Sequence, residues 1–365
     1  MENLDWKNLP FGYIKTDYNV RCVYKDGKWG ELEVSSSEYI NMHMAATALH
    51  YGQEAFEGMK AYRGKDGKVR LFRWDENAKR LQQSCEGIYM AKLPLELFRD
   101  ACIKAVKLNE RFIPPYGTGA SLYIRPLLFG SGAEVGVRPA KEYTFVVFVT
   151  PVGPYFKTGF NPVKIAIVRD SDRAAPLGTG VFKVGGNYAA SMRGTERAHD
   201  AGYGSPMYLD AKEKRYIDEI GAANFFGIKD NTYITPKSSS ILPSITNKSL
   251  IQIAEDLGMK VERRPIEESE LSTFEEVGAC GTAAVISPIG EITTSTRARC
   301  TPTARTVSPA PYPPSSTKRW WAFSMARLRI STAGLRLLTN SSTVFHSTRT
   351  PLERGFGVFR GSLRG

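Results

Sequence analysis

The side chains best placed to do chemistry in this chain are a lysine, an acid, a tyrosine and an arginine. Lys183 lies in Gly178-Thr-Gly-Val-Phe-Lys-Val-Gly-Gly-Asn-Tyr188, between Phe182 and Val184, with no acid beside it. Lysines usually sit on solvated faces, but the apolar neighbours set this one apart, and the Gly-Gly lets a backbone come close to something. Desolvation lowers the pKa of such an amine and turns it into a nucleophile toward a carbonyl. Glu219 enters an apolar and small-residue stretch, Tyr216-Ile-Asp-Glu-Ile-Gly-Ala-Ala-Asn-Phe-Phe226. A buried carboxylate needs a cationic partner, which is either an arginine or the protonated nitrogen of a bound ring. Tyr188, five residues after Lys183, either gives its hydroxyl to a ligand or packs in a core. A phosphate-bearing ligand needs a cation and the amides of a helix start. Arg80 is a candidate for the first, although a surface arginine is the default reading. The turns Ser244–Asn247 and Gly221-Ala222 are candidates for the second.

These groups must be carried by regular elements. Asp26-Gly27 separates Arg21–Tyr24 from Trp29–Val34 as a hairpin turn, and a second Asp-Gly turn, Asp66-Gly67, precedes a strand Val69–Phe72. Helical spacing runs from Glu76 to about Ile88, with Ala78, Leu81 and Cys85 on one face, and again from about Leu95 to Asn109. A strand Leu122–Arg125 is followed by Pro126, and a buried strand Tyr143–Thr150 is closed by Pro151. This makes an α+β domain over 1–168. Residues 169–181, rich in Asp, Ala, Pro and Gly, read as an interdomain linker. The second domain, 182–292, has a helix from about Tyr188 to Ala201 stopped by Gly202. A hairpin of Met207–Leu209 with Arg215–Ile217 follows, then strands Asn224–Ile228 and Thr232–Thr235. Leu250, Ile253, Ala254 and Leu257 mark a helix that ends at Gly258. Ser272 and Glu275 have capping-box spacing.

With 365 residues, 42% hydrophobic and 24% charged, the chain reads as globular and as more than one domain. The longest apolar run, Phe145–Val149, is far short of the roughly twenty residues of a membrane span, and the first residues lack the pattern of a signal peptide. Five cysteines without CxxC spacing read as free thiols of a reducing cytoplasm, not as a zinc site or disulfide frame. The net charge of +12 is uneven: 293–365 holds eleven Arg and one Lys against one Glu, which leaves the other 292 residues with 37 bases and 36 acids. A nucleic-acid role would therefore rest on this tail alone, and nothing in the body serves it. The tail, with few acids, one lysine and a proline-rich patch at 309–314, has two readings. It is a disordered basic extension or the product of a shifted reading frame.

Six stretches, taken together, carry a resemblance. They are Phe56-Glu-Gly-Met-Lys-Ala61 within Tyr51–Arg63, Ser121-Leu-Tyr-Ile-Arg-Pro126, Phe182-Lys-Val-Gly-Gly-Asn-Tyr188, Asp218-Glu-Ile-Gly-Ala-Ala-Asn224, Ile241-Leu-Pro243 and Cys280-Gly-Thr-Ala283. In this order and spacing they resemble the class IV (fold-type IV) pyridoxal-phosphate aminotransferases, and within them the branched-chain amino acid aminotransferases, over about 1–292.

The resemblance implies a two-domain α+β fold of the D-amino acid aminotransferase type. It also implies a cytoplasmic homodimer that transaminates leucine, isoleucine or valine with 2-oxoglutarate. Other members of the fold, D-amino acid aminotransferases and aminodeoxychorismate lyases, are the near alternatives. By the same resemblance Lys183 carries pyridoxal phosphate as an internal aldimine and moves the proton, Glu219 meets the pyridine nitrogen, and Tyr188 meets the ring oxygen. Arg80 clamps the phosphate with Ile245, Thr246 and Thr282. Thr282 and Ala283 hold the substrate carboxylate, while Tyr51, Phe56, Tyr123 and Arg125 shape the substrate side. Ala284-Val-Ile-Ser287 stands where some members carry a CxxC, so thiol regulation is not expected there. The closing turns and helix that the resemblance implies are not recognisable after Ile292.

Overall fold

The computed structural model describes residues 4–153, 155 and 162–294, and the backbone of 305–307 and 335–337. Two sheets organise it. The first is built on hairpins. Asp26 and Gly27 both adopt positive φ, the geometry that folds β1 (Asn19–Lys25) back onto β2 (Lys28–Trp29), and β3 (Glu33–Ser35) pairs with β1 as well. After the short helix α1 (Thr47–Tyr51) come β4 (Glu54–Phe56), β5 (Met59–Arg63) and β6 (Val69–Phe72). Helices α2 (Trp74–Gly87) and α3 (Leu95–Leu108) follow, then the long strands β7 (Ser121–Gly130) and β8 (Tyr143–Val152). Strand order is β6-β5-β7-β8-β1-β2. Ala78, Leu81 and Cys85 of α2 and Phe98, Ala101, Cys102 and Ala105 of α3 are buried in one core with Leu122, Ile124, Phe145 and Val147. Each fully buried large side chain there is worth about 1.5–3 kcal/mol.

The second sheet closes on itself. Its elements are β9 (Val163–Val168), α4 (Gly185–Asp200), β10 (Ser205–Leu209), β11 (Ile217–Ile220), β12 (Ala223–Lys229), β13 (Thr232–Pro236), α5 (Ile245–Asp256), β14 (Lys260–Arg264), β15 (Glu276–Gly281) and β16 (Val285–Thr294). The order β11-β10-β9-β16-β15-β12, with a further pairing of β11 to β12, makes a six-stranded ring. Its core includes Val163, Ile165, Met207, Ile220, Phe225, Val277 and Ile289. The closure is narrow, with just Glu219 opposite Asn224 and Ile220 opposite Ala223. Gly221, at φ 55°, makes the tight turn between them. Helix α5 lays Leu250, Ile253 and Ala254 against Phe226, Ile228 and Tyr233 on the outside of the ring. In the tail, β17 (Arg305–Val307) adds to β16 and β18 (Leu335–Leu337) to β6. Beyond Thr294 the rest of the tail lies outside the described residues.

Four details depart from the sequence reading. Strand β7 runs through Pro126, because β5 leaves it at Ile124 and β4 joins it at Leu127, so no ladder bond is asked of Pro126 on that side. Strand β8 likewise passes Pro151, beyond the end of its pairing with β1 at Val147. Strand β9, assigned above to the first unit, sits between β10 and β16 in the second sheet, so that unit's sheet ends at Val152. Glu275 is no helix cap. It accepts the Asp230 amide, and the preceding 3-10 turn Glu268–Thr273 is capped by Glu267 and Glu270.

A fully buried acid organises the packing of α2 on the first sheet. Glu57, between β4 and β5, receives Nε and Nη2 of Arg80 at 2.8 and 2.7 Å and Nδ2 of Asn77 at 2.7 Å. Glu57→Leu strands the Arg80 cation in the interior and should cost about 3–5 kcal/mol. The double change Glu57→Leu with Arg80→Met should cost clearly less, both read from chemical denaturation.

Candidate active site

Helix α2 carries Asn77, Arg80 and Ser84 at i, i+3 and i+7, which puts them on one face, and all three are buried. Two of them hold Glu57. The third, Ser84, accepts the backbone N–H of Lys183 at 2.9 Å, while the carbonyl of Lys183 accepts the N–H of Phe56 at 3.1 Å. Ala55 bridges to Val184 next door. Phe182 packs over Gly87, where a Cβ would lie 2.3 Å from the ring, so α2 ends where that aromatic needs room. Asn187 ties the start of α4 back by donating to the carbonyls of Thr179 and Phe182 at 2.7 and 2.9 Å. The main chain at Lys183 is thus fixed from both sides, and the side chain points into the space between the sheets.

There Lys183 Nζ donates to the Tyr188 hydroxyl at 2.6 Å. It stands 4.7 Å from the Phe56 ring centre and 4.9 Å from that of Tyr188. Among the described residues no carboxylate forms an ion pair with it. Burial, with the Arg80 cation adding to it, pushes its amine down to about 8, against a weaker opposing pull from Glu57. Burial and then the negative charge of Glu219 push the Tyr188 phenol far up, so it keeps its proton.

Glu219 sits at the ring closure. Its Oε1 accepts Asn224 Nδ2 at 2.8 Å and the Leu242 amide at 3.3 Å, and its Oε2 pairs with Arg173 Nε at 2.6 Å. Burial raises this carboxyl to about 7 even though Arg173 opposes it. Arg80, read above as a surface arginine by default, is buried, and its Nη1 reaches the Pro243 carbonyl at 2.9 Å. That places a guanidinium beside the start of α5. There Ser244 caps the Asn247 amide, and among the described residues no side chain caps the amides of Ile245 and Thr246 at the helix start. Thr282 and Ala283 form the turn between β15 and β16, and Lys60 Nζ donates to the Ala283 carbonyl at 3.2 Å.

On the other flank, the Arg125 guanidinium lies 4.8 Å from the Phe56 ring centre and bonds the Tyr123 hydroxyl at 3.3 Å. Phe56, Tyr123 and Arg125 therefore belong with Lys183. Tyr51 does not join them: it is exposed, and its hydroxyl goes to the Val135 carbonyl. Four partners escaped the sequence reading. Asn77 and Ser84 had a signal, polar residues at helical spacing with Arg80. Glu57 stood inside a quoted motif without a role, and Arg173 was counted as linker. Among the described residues no group of His, Cys, Asp or Glu could hold a metal ion.

A neutral amine in a pocket that water can enter reacts with aldehydes in proportion to its unprotonated fraction. Trapping of a small aldehyde at Lys183 by borohydride should therefore rise with pH about a midpoint near 8. A midpoint near the ordinary lysine value of 10.5 would contradict this.

Comparison with known proteins shows the family. The family model for amino-transferase class IV matches residues 54–292. The branched-chain-amino-acid aminotransferase of Haemophilus influenzae is 52% identical over 299 residues, which cover 80% of this chain and 87% of that protein. The crystal structure of the Escherichia coli branched-chain amino acid aminotransferase superposes with a TM-score of 0.72 at 26% identity, covering 89% of this chain and all of that one. The T.th. branched-chain amino acid aminotransferase, complexed with N-(5'-phosphopyridoxyl)-L-glutamate, superposes with a TM-score of 0.69 at 24% identity, covering 90% and 100%. Since the family model spans well over half the chain and the Haemophilus protein matches at 52%, this chain belongs to the class IV aminotransferases, among the branched-chain amino acid aminotransferases.

Proposed function

We propose that this protein uses pyridoxal phosphate at Lys183 to move the amino group of leucine, isoleucine or valine to 2-oxoglutarate in two alternating half-reactions. The observation that carries the residue assignment is Lys183 itself, a half-buried amine without an acid partner among the described residues, 2.6 Å from a tyrosine hydroxyl. The surrounding donor set fits the cofactor. It has a cation and open helix-start amides for a phosphate, a buried carboxylate for a protonated ring nitrogen, and a phenol for a ring oxygen.

When bound, pyridoxal phosphate supplies an electron sink that acidifies the substrate Cα–H. Lys183, neutral in part near pH 8, would be the amine that holds the cofactor and, once free, the base that takes the Cα proton. Tyr188, held protonated by burial, would donate to the ring oxygen, and its hydroxyl orients the Lys183 amine. Glu219 would hold a proton at the ring nitrogen. Arg80, Ile245, Thr246 and Thr282 would hold the phosphate, and Thr282 and Ala283 would offer the turn that receives the substrate carboxylate. Phe56 and Tyr123 form an apolar wall suited to branched side chains, with Arg125 at its edge.

Lys183→Ala should form no covalent, borohydride-fixable link to the cofactor and lose amino transfer by more than about a thousandfold. Wild-type protein with leucine, isoleucine, valine, D-alanine and an aminodeoxychorismate substrate should consume the three branched-chain L-amino acids with 2-oxoglutarate. Release of pyruvate without an acceptor would instead identify a lyase.

A homodimer in the cytoplasm completes the reading. Tyr39, Ile40, Met44 and Leu49 are exposed, as are Val135 and Val137. The two segments are joined by the Ala46–Ala133 bridge and the Glu134 amide on the Ala45 carbonyl. So contiguous an apolar surface supports pairing with a second copy. The four described cysteines are unpaired, which supports a reducing compartment. No helix among the described residues is long and apolar enough to cross a membrane. Sedimentation should give twice the chain mass, and Val137→Glu should shift it toward the monomer.

A further inference from the structure

Arg173 lies between β9 and α4, in the stretch whose composition reads as a connector, yet its side chain is only 8% exposed. Its Nε meets Glu219, and its Nη2 donates to the carbonyls of Gly180 and Ser240. Asp218, the residue before Glu219 on β11, is also buried. Its Oδ2 accepts the Ser240 hydroxyl at 2.6 Å, while its Oδ1 has no hydrogen-bond partner among the described residues. Of these two adjacent buried carboxylates, Glu219 touches a guanidinium and Asp218 is held by a hydroxyl. The other groups that face Glu219 are the Asn224 amide from β12, the Leu242 amide from the loop before α5, the Cys280 thiol from β15, and the Lys183 amine and Tyr188 phenol from the α4 side. None of these besides Lys183 can bring a positive charge. A protonated ring nitrogen against Glu219 would bring the second one.

We infer that Arg173 is a positioning residue for amino transfer, which together with Asp218 acting in the opposite sense sets how readily Glu219 takes up a proton. The inference rests on the reading of this cavity as a pyridoxal-phosphate site. If Glu219 held the proton too firmly, a carboxylic acid would face an unprotonated ring, and the pull on electrons from the substrate would weaken. If Arg173 were absent, the Glu219 carboxylate would lose its one contacting cation inside a region that strongly penalises unpaired charge. Arg173 also crosses from the connector to the Ser240 carbonyl, so the same side chain that balances Glu219 ties the segment leading to Lys183 against the second sheet. The direction of each influence is consistent with this: burial raises the Glu219 carboxyl, Arg173 lowers it and Asp218 raises it.

The test is an infrared titration of the full-length protein freed of pyridoxal phosphate, with Glu219→Gln identifying the carboxyl band. Arg173→Gln should carry the Glu219 midpoint upward, to above about pH 8. Arg173→Lys, which keeps the charge, should return it most of the way, and Asp218→Asn should carry it downward. A merely structural Arg173 would behave differently, because its loss would admit water and move Glu219 down toward the ordinary carboxylate range. A downward or unmoved midpoint in Arg173→Gln therefore overturns the inference, as does an upward or unmoved one in Asp218→Asn. If Arg173→Gln does not fold, the sign of the Asp218→Asn change decides. Adding pyridoxal phosphate to the wild-type preparation and reading its absorbance tests the cofactor reading separately, so failure of one is not mistaken for failure of the other.

Discussion

Charge buried between the two sheets is the constraint on which this structure turns. Moving an ion out of water costs several kcal/mol even after relaxation, and a protein meets that cost by pairing the ion or by giving up its charge. Both solutions stand side by side here. Arg80 is paired with Glu57 through two nitrogens, and Arg173 with Glu219. Lys183 has no such partner among the described residues and is driven down to about 8. The reactive amine is thus a product of the company it keeps: its neighbours take the available acids, and two of the cations, Arg80 and Arg125, add their repulsion to its desolvation.

That arrangement demands main-chain precision. Ser84 from α2 and Phe56 from β4 hold the Lys183 peptide groups, so the first sheet fixes a residue that opens the helix of the second. Glu219 depends on the ring of strands in the same way. It lies where β11 and β12 share two residue pairs, a place exposed to strain if the ring failed to close. The groups around Lys183 come from both units: Phe56 and Arg125 from the first, Tyr188 from the second.

Much of this was legible in the residues alone. The order of the motifs, the isolation of Lys183 from acids and the entry of Glu219 into an apolar stretch all pointed to the same chemistry. Helix α5 was marked by Leu250, Ile253, Ala254 and Leu257, and by Ser244 at its start. The failures have a common physical origin. Pro126 and Pro151 end strands by local rule, yet both are tolerated where the neighbouring strand is missing on the side that matters.

Local spacing and side-chain type determined which groups could act: an amine, a carboxylate, a phenol and a guanidinium, with helix starts and turns to present them. They could not determine who pairs with whom. Glu57 and Arg80 are 23 positions apart, and Arg173 and Glu219 are twice as far apart. Nothing in the connector's Asp, Ala, Pro and Gly content marks Arg173 as an interior residue. Pairing of buried charges is a long-range property, because it depends on which surfaces the closed ring and the first sheet press together and so on which charges lose their water. That decision belongs to the tertiary structure, and with it goes the protonation state of Lys183.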